Sequence, residues 1–229
     1  RVFASNAMCG RFAFYSAAEA VSDLFGVDDS GLSVRPQYNI APTDRAAVIR
    51  PEADGHALAM LRWGLVPFWA KDLAIGNRMI NARSETVAEK PAFRAAFKQR
   101  RCIVPADGYY EWTGSKGNKQ PHYITRGDGK PIGFAGLWER WHDKANDDHV
   151  ETFTILTQPS SGPIGHLHHR MPVMLDDVTA EYWLAGDGEN PPALRELKVD
   201  DYAEVLTSWR VAKTVNNARN ESPDLVERL

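Results

Sequence analysis

Short strand-like segments dominate this chain of 229 residues, and helical segments interrupt them at irregular intervals. One apolar run at residues 102–104 leads directly into a second run that continues to Trp112. Strands that alternate regularly with helices are typical of parallel α/β folds, whereas an irregular order of this kind is typical of α+β folds. We therefore predict an α+β fold in which strands dominate. The other strand candidates are residues 58–62, 122–125, 132–137, 152–157, 173–175 and 205–209.

The helical segments carry recognisable start and stop residues. Ser16 and Glu19 have the spacing of a capping box at the start of a helix that ends near Gly26. Pro91 suits the first turn of a second helix, since its fixed φ is already helical. Further predictions are a helix over residues 179–184, a short helix after Pro191-Pro192 and a polar turn over residues 116–120.

Composition excludes several classes of protein. Hydrophobic residues make up 43% of the chain and charged residues 25%, which is ordinary for a globular protein. No apolar run approaches the roughly 20 residues that a membrane helix needs, so we expect no membrane partner. Two cysteines in a chain of this length argue against a disulfide framework and suit a reducing cytosol.

Charge is unevenly distributed, although the net charge is only −3. Residues 78–101 include seven basic and two acidic side chains, whereas residues 176–201 are strongly acidic. A basic face on an acidic protein suits a local anionic ligand. A solvated helix face would give the same pattern, so charge alone leaves both interpretations open.

Cys9 directly follows Met8, which we interpret as the natural initiator, with residues 1–7 as the remnant of an expression tag and residues 8–229 as the domain. Removal of Met8 would leave Cys9 with an amine and a thiol on adjacent carbons. Such a pair can condense with an aldehyde to form a five-membered thiazolidine. The alternatives for Cys9 are the nucleophile of a cysteine hydrolase and a small buried residue. Cys102 lies inside an apolar strand and is assigned to the core.

Two polar residues stand out beside the predicted elements. Asn81 lies upstream of Ser84, which is suited to capping a helix, so capping does not account for the Asn81 amide. Glu111 lies between Tyr110 and Trp112, an aromatic setting that would raise the pKa of its carboxyl by desolvation. A carboxyl with such a pKa moves protons near neutral pH. A surface glutamate in a turn is the alternative.

Three histidines stand close together at His166, His168 and His169. A metal site is one interpretation, but the cluster lacks the i, i+4 pair or the paired CxxC groups of strong zinc motifs, and we predict no metal. On an extended chain His166 and His168 share one face and His169 lies on the other. One histidine acting as a general acid or base, with the others at the surface, explains the cluster at least as well.

Arginines and aromatic residues near these candidates indicate a nucleic-acid ligand. Arg11, Arg83 and Arg170 each neighbour one of the candidate residues, and the arginine fork binds phosphate bidentately. Most of the aromatic residues belong to a core, but the turn formed by Pro67, Phe68 and Trp69 could present a stacking surface for unpaired bases.

Seven sequence blocks together resemble the SRAP family, the SOS response-associated peptidase or abasic-site processing proteins. The blocks follow the family's order from Cys9 almost to the C-terminus, and their combination is specific where a single block would be weak. Where this chain has His169, family members often have aspartate. The blocks are MCGRF at 8–12, YNIAPT at 38–43, WGLVP at 63–67, NARSET at 81–86, CIVPADGYYEW at 102–112, HHRMP at 168–172 and VNNARN at 215–220.

The resemblance implies a single α+β domain with a strand-rich, barrel-like core and peripheral helices, and a positively charged groove that binds single-stranded DNA. It also implies covalent capture of abasic sites by N-terminal Cys9, without a cofactor. The implied catalytic set is Cys9, Asn81, Glu111 and His168; the implied DNA-backbone contacts are Arg11, Arg83 and Arg170; and Pro42, Trp69 and Thr157 fall near positions that stack or position DNA.

On this resemblance His168 helps to open the sugar ring, Glu111 moves protons for the Cys9 amine, and Asn81 orients that amine before the thiol closes the thiazolidine. Some lyase activity is expected at the imine stage. Two alternatives from other classes stay open: a peptidase that removes the residues ahead of Cys9, and a protein that binds single-stranded DNA without covalent capture. We expect a monomer in the cytoplasm, associated with the nucleoid when bound to DNA.

Overall fold

The computed structural model describes residues 9–28, 34–53, 55–185 and 204–229, and strands predominate within them. The described helices are α1 (Ala18–Phe25), α2 (Arg94–Gln99) and α3 (Asp177–Ala185), and short 3-10 turns cover Leu73–Arg78, Gly162–Ile164, Lys213–Asn216 and Pro223–Val226. The described strands are β1 (Phe12–Phe14), β2 (Val27–Asp28), β3 (Gln37–Ile40), β4 (Arg45–Glu52), β5 (Gly55–Trp63), β6 (Asn81–Arg83), β7 (Arg101–Ala106), β8 (Gly108–Thr113), β9 (Gln120–Arg126), β10 (Ile132–Asp143), β11 (Asp148–Pro159), β12 (Arg170–Pro172), β13 (Met174–Leu175) and β14 (Leu206–Arg210).

Five of these strands close into a barrel in the order β11, β10, β7, β4 and β5. Parallel pairing of β5 with β11, which places Trp63 beside Phe153, completes the ring. The aromatic side chains of Trp63 and Phe153 stack with their ring centres 6.3 Å apart, and the Phe12 ring meets the Trp63 ring edge-on at 5.1 Å inside the core. The closed barrel confirms the predicted single α+β domain with a strand-rich, barrel-like core and peripheral helices.

A second sheet has the order β14, β9, β8, β1 and β3, and its strand β1 begins three residues after Cys9. Side chains alternate across β8, as the pleat of a strand requires. Tyr109 belongs to the main core together with Cys9, whereas Tyr110 packs with Tyr123 in a smaller cluster on the other face. Glu111, two residues after Tyr109, therefore shares the face that meets Cys9.

The start of α1 differs from the sequence prediction. The helix ends at Gly26, whose φ is +61°, as expected for a left-handed cap. The capping box is wrong, however, because Ala17 precedes the helix and no side chain caps it. Ser16 Oγ instead donates to the Asp107 carboxylate, which also accepts the Tyr15 and Ser16 backbone N–H groups at 2.6 and 2.7 Å. A charged acceptor that binds three donors outcompetes a local cap.

The later elements lie close to their predicted positions. The second helix, α2, begins three residues after Pro91, and α3 begins two residues before the predicted start. Strands β10 and β11 each run to 12 residues and so exceed the predicted segments. The helix predicted after Pro191-Pro192 lies outside the described residues. None of the helices within the described ranges is long and apolar enough to cross a membrane.

Candidate functional site

Cys9 lies three residues before the start of β1 and is fully buried. Its φ of +36° falls in the left-handed region, which costs a residue with a Cβ about 1 kcal/mol. Pairing of β1 with β8, with Phe12 opposite Tyr109, brings the start of the domain against the middle of β8. The Cys9 backbone N–H donates a hydrogen bond of 2.9 Å to Glu111 Oε1 in the protein interior.

Burial dominates the chemistry of Glu111. Only 4% of the residue is exposed, and desolvation raises the pKa of its carboxyl to about 7. The Cys9 N–H, the positive charge of Lys119 and the Trp112 backbone N–H act in the opposite direction, because each stabilises the ionised carboxylate. Glu111 therefore exchanges protons near neutral pH, directly beside the nitrogen of Cys9.

The Cys9 thiol, in contrast, is held in its neutral form. Burial raises the pKa of the thiol well above its usual value, and the nearby Glu111 charge raises the pKa further. Cysteine hydrolases depend on a thiolate that a cation or an adjacent imidazolium stabilises. The surroundings of Cys9 favour chemistry that starts at its nitrogen over direct attack by a preformed thiolate.

His168 is half-buried and contacts the backbone of Arg170. Its Nδ1 lies 3.2 Å from the Arg170 backbone nitrogen and 3.3 Å from the Arg170 carbonyl oxygen, so the backbone of Arg170 fixes the orientation of the ring in either tautomer. Burial is the main cause that lowers the pKa of His168; the hydrogen bond with the Arg170 backbone opposes it, and the charges of His169, Lys119 and Arg170 lower the pKa further. The net shift favours the neutral ring. Lys119 acts on both Glu111 and His168, so the two groups share one electrostatic neighbourhood.

The histidine cluster does not form a metal centre in the part of the chain that the structure describes. No three histidine, cysteine or carboxylate side chains there are arranged to hold a metal ion. His166 is exposed and its Nδ1 lies 2.8 Å from the Pro163 carbonyl oxygen, while the His168 and His169 rings stack obliquely at 4.3 Å.

The parallel pairing of β6 with β11 places three of the remaining candidates on neighbouring strands. Half-buried Asn81 lies on β6 beside Ile155 of β11. Two positions further along the same pair, Arg83 lies beside Thr157 and its side chain is exposed. The segment after β6 forms turns rather than the helix that Ser84 was expected to cap, and α2 begins only at Arg94.

Arg170 is buried and bound within the protein. Its guanidinium forms a two-pronged ion pair with Glu85, with Nη2 2.8 Å from Oε2, and Nη2 also donates to the Thr157 carbonyl oxygen at 2.6 Å. This pairing lowers the pKa of Glu85 to about 2. Thr157 is fully buried, and its hydroxyl lies 3.3 Å from Arg170 Nη2. Thr157 therefore contacts Arg170 and not the solvent.

Arg11 is likewise held by protein groups, since its Nη1 donates to Asn39 Oδ1 at 2.6 Å and to the Val215 carbonyl oxygen at 2.8 Å. Its guanidinium also lies 5.9 Å from the centre of the Trp112 ring. The exposed candidates are Arg83 and Trp69, the latter 49% accessible and adjacent to Phe68, and Pro42 is half-buried.

Sequence reasoning missed Lys119, which it treated only as part of a polar turn. The β8–β9 hairpin, with Thr113 opposite Gln120, folds this lysine back toward Glu111. The signal in the sequence was the pair of glycines at 114 and 117 between two strands, which predicts a hairpin. That this turn lies within electrostatic reach of His168 could not be predicted locally, because it results from strand pairings between segments far apart in the sequence.

The sequence also matches known proteins. A sequence model of the family described as SOS response associated peptidase (SRAP) matches residues 8–218. The chain belongs to the SRAP family. Its resemblance to that family, which rested on seven short blocks, is thus confirmed across most of the described domain.

Relatives and solved structures of the SRAP family extend over nearly the whole chain. A Bacillus subtilis protein named abasic site processing protein YoqW is 37% identical over 224 residues, which cover 96% of this chain and 99% of the relative. A Xenopus tropicalis protein named abasic site processing protein HMCES is 31% identical and covers 85% of this chain and 67% of that protein. A crystal structure of a Bacteroides thetaiotaomicron protein superposes with a TM-score of 0.75 at 27% identity, covering 96% of this chain and all of that chain.

Proposed function

We propose that this protein processes abasic sites in single-stranded DNA and captures them covalently through Cys9 when Cys9 is the N-terminal residue. The observation that carries the proposal is the 2.9 Å hydrogen bond between the Cys9 nitrogen and Glu111, a buried carboxyl whose pKa is about 7. The names of the relatives support the substrate, since they describe abasic site processing proteins.

The first bond forms between the Cys9 nitrogen and the aldehyde carbon of an opened abasic sugar. A free α-amine has a pKa of about 7.7–8.0, so it is largely protonated at pH 7. Glu111 accepts one proton from this ammonium, and the neutral amine adds to the carbonyl to give a carbinolamine. The protonated Glu111 then returns a proton to the departing hydroxyl, which leaves as water, and the imine remains.

The sugar must open before this attack, because an abasic site is mostly a closed hemiacetal. In our proposal His168 accepts the proton of the C1 hydroxyl and passes it to the ring oxygen as the bond between C1 and that oxygen breaks, which leaves the open aldehyde. Asn81 orients the Cys9 amine. The Cys9 thiol then adds to the imine carbon and closes the thiazolidine. Intramolecular closure of this kind is strongly favoured by proximity. Before closure the imine also permits β-elimination, which would give a weak lyase activity.

DNA would approach through the exposed candidates. Arg83 is placed to bind a backbone phosphate, Trp69 to stack on an unpaired base, and half-buried Pro42 to bound the strand. Arg11 is held by Asn39, so in our proposal it supports this surface from within. Arg170 contacts DNA only after leaving Glu85.

Replacing Glu85 by glutamine tests whether Arg170 binds phosphate. The substitution removes the charged partner of Arg170, so we expect the affinity for single-stranded DNA to rise about fivefold at moderate salt. Glu52→Gln is the matched control, because Glu52 forms an exposed ion pair with Arg50 at 2.8 Å and the same charge is removed. Fluorescence anisotropy with a labelled oligonucleotide measures both. Equal affinities for the two variants would show that Arg170 remains bound within the protein.

Removal of the residues ahead of Cys9 is a second candidate activity, and the same hydrogen bond favours it. In this chain the Cys9 nitrogen is the amide of the Met8–Cys9 bond. A carboxyl with a pKa near 7 at 2.9 Å is placed to protonate that nitrogen as it leaves during hydrolysis by water. Mass spectrometry of the full chain after incubation at pH 6–7 would detect a product that starts at Cys9.

The direct test uses protein that begins at Cys9, mixed with single-stranded DNA carrying one abasic site and run on a heated denaturing gel. We expect a heat-stable shifted band with this protein and none with its Cys9→Ala variant or with the chain that retains residues 1–8. A His168→Gln lane should accumulate the band about tenfold more slowly. A band with Cys9→Ala, or no band in any lane, would contradict covalent capture through Cys9.

A further inference from the structure

Tyr109 is a buried tyrosine that the proposed reaction, as described above, does not use. It lies on β8, two residues before Glu111 on the same face of the strand, and it is fully buried. Its ring meets Phe134 edge-on at 5.9 Å, and its backbone neighbours across the sheet are Phe12 and Ile124. Its hydroxyl is fully buried and has no hydrogen-bond partner among the described residues.

Neighbouring tyrosines on this sheet do not share that property. The Tyr110 hydroxyl donates to the Tyr38 carbonyl oxygen at 2.7 Å, and the Tyr123 hydroxyl lies 3.3 Å from that of Tyr15. A buried hydroxyl without a partner destabilises the folded state, and phenylalanine at position 109 would fill the same space without that cost. A polar group retained at such a position points to a partner that forms at another stage.

The groups near the Tyr109 hydroxyl identify that partner. After burial, the charges of Cys9 and Glu111 are what raise the pKa of Tyr109, so both groups lie within electrostatic reach of its oxygen. The phenol therefore stays protonated at every physiological pH and can act only as a donor or a neutral acceptor. Glu111 Oε1 already accepts from the Cys9 nitrogen, whereas the Cys9 sulfur forms no hydrogen bond with any of the described residues.

We propose that Tyr109 is a further catalytic residue of the capture reaction: its hydroxyl donates a hydrogen bond to the Cys9 sulfur while the thiazolidine ring closes. The inference rests on the proposed function. In this chain Met8 still acylates the Cys9 nitrogen and the residue is held at a φ of +36°. When Cys9 is N-terminal, no preceding peptide constrains it, and its side chain can turn toward the phenol.

The closing step balances without any further reactant. The thiol proton passes to the Glu111 carboxylate, the sulfur lone pair forms the C–S bond to the iminium carbon, and the C=N π electrons move to nitrogen, which becomes a neutral ring amine. Negative charge develops on sulfur as its proton leaves. This site disfavours that charge through burial and the proximity of Glu111. A phenol donor directed at the sulfur offsets the penalty, because hydrogen bonds to charged groups are the stronger kind.

The test is Tyr109→Phe in protein that begins at Cys9, with two readouts on one abasic oligonucleotide. Borohydride reduction traps the imine, and heating without borohydride leaves only the closed ring. We expect imine trapping at the wild-type rate, ring closure about tenfold slower, and more strand cleavage by β-elimination because the imine persists longer. The thermal midpoint of Tyr109→Phe should equal or exceed that of the wild type.

Tyr110→Phe is the matched control, since it removes a hydroxyl from the adjacent residue on the opposite face. Its midpoint should fall, because the Tyr38 carbonyl loses its donor, while the ratio of closure to imine formation stays unchanged. Closure at the wild-type rate in Tyr109→Phe, or equal slowing in Tyr110→Phe, would overturn the role of Tyr109 alone. Absence of both adducts in the wild-type protein would overturn the capture proposal together with it.

Discussion

Replacing Glu111 by glutamine, in protein that begins at Cys9, is expected to slow abasic-site capture by about a hundredfold or more. Positioned acids and bases contribute about 10²–10⁴-fold to such reactions. Glutamine keeps an oxygen that can accept the 2.9 Å hydrogen bond from the Cys9 nitrogen, so the geometry is retained while proton transfer is lost. The rate of appearance of the heat-stable band measures the effect. A variant as fast as the wild type would show that Glu111 transfers no proton.

The same pair of proteins should differ in pH dependence. Because Glu111 acts as a base, capture by the wild type should rise as the pH increases through the pKa of this carboxyl, which is about 7 while Cys9 is acylated and is lowered by the free ammonium beside it. In Glu111→Gln that rise should vanish, and only the rise due to the α-amine near pH 8 should remain. Initial rates from pH 5.5 to 8.5 separate the two transitions, since glutamine does not titrate.

Glu111 should also make the folded protein less stable as the pH rises. The carboxyl titrates near 4.3 in the unfolded chain and near 7 in the folded protein. Between these values the folded state binds more protons than the unfolded state, so the free energy of unfolding falls with rising pH, by on the order of 3 kcal/mol in total. Urea unfolding at pH 4.5 and pH 8 should therefore show Glu111→Gln gaining stability relative to the wild type as the pH is raised.

Glu85→Gln is a control for which the pH dependence of the free energy of unfolding should have the opposite sign. The pKa of Glu85 is lowered to about 2, so its contribution to stability is present above the unfolded value and is lost as the pH falls toward 2. This variant should lose stability relative to the wild type by nearly the same amount at pH 8 and pH 4.5, and by less at about pH 2.5. Its effect should be small, because the Glu85 side chain is 45% exposed and water screens the ion pair. Equal pH trends for the two variants would contradict the contrast between a desolvated and an ion-paired carboxyl.

Local patterns predicted the elements of this fold better than their assembly. Period-two runs located β7, β9 and β14 to within two residues, because each strand alternates or is wholly apolar. Closure of the barrel depends on β5 pairing with β11, which brings Arg62 beside Thr152. No local pattern encodes that contact, and only the family resemblance implied a barrel. The capping-box error at Ser16 has the same origin, since its true partner is Asp107, 91 residues away.

The site shows a similar division. The raised pKa of Glu111 was predicted from its aromatic neighbours, and the direction is confirmed. The neighbours invoked were wrong, however, because Tyr110 and Trp112 face the second cluster, and it is the face shared with Tyr109 and Cys9 that buries the carboxyl. The sequence showed arginines and acids but not which of them would pair. The engagement of Arg170 by Glu85 across 85 residues is a consequence of strand order.

Replacing Asn39 by alanine is the second large expected effect, and it acts on stability. Asn39 is 1% exposed and joins two distant blocks of the sequence, since its Nδ2 donates to carbonyl oxygens of the C-terminal segment while its Oδ1 accepts from Arg11. The carbonyls belong to Val215, Asn217 and Asn220, at 3.4, 3.0 and 2.8 Å. Alanine leaves a buried guanidinium N–H and several carbonyls without this partner, so we expect a loss on the order of 3 kcal/mol in the free energy of unfolding.

Asn217→Ala is the matched control, because Asn217 lies in the same segment but is exposed, and its removal should cost less than about 1 kcal/mol. Urea unfolding compares the variants, and limited proteolysis should cleave Asn39→Ala first within residues 204–229. Equal stability of the two variants would contradict the anchoring role. Arg11 follows Cys9 by two residues, so loosening its Asn39 contact should also displace Cys9 from Glu111 and slow capture in the variant that remains folded. Slower capture in this variant would show that a polar residue outside the Cys9–Glu111 pair positions the Cys9 nitrogen.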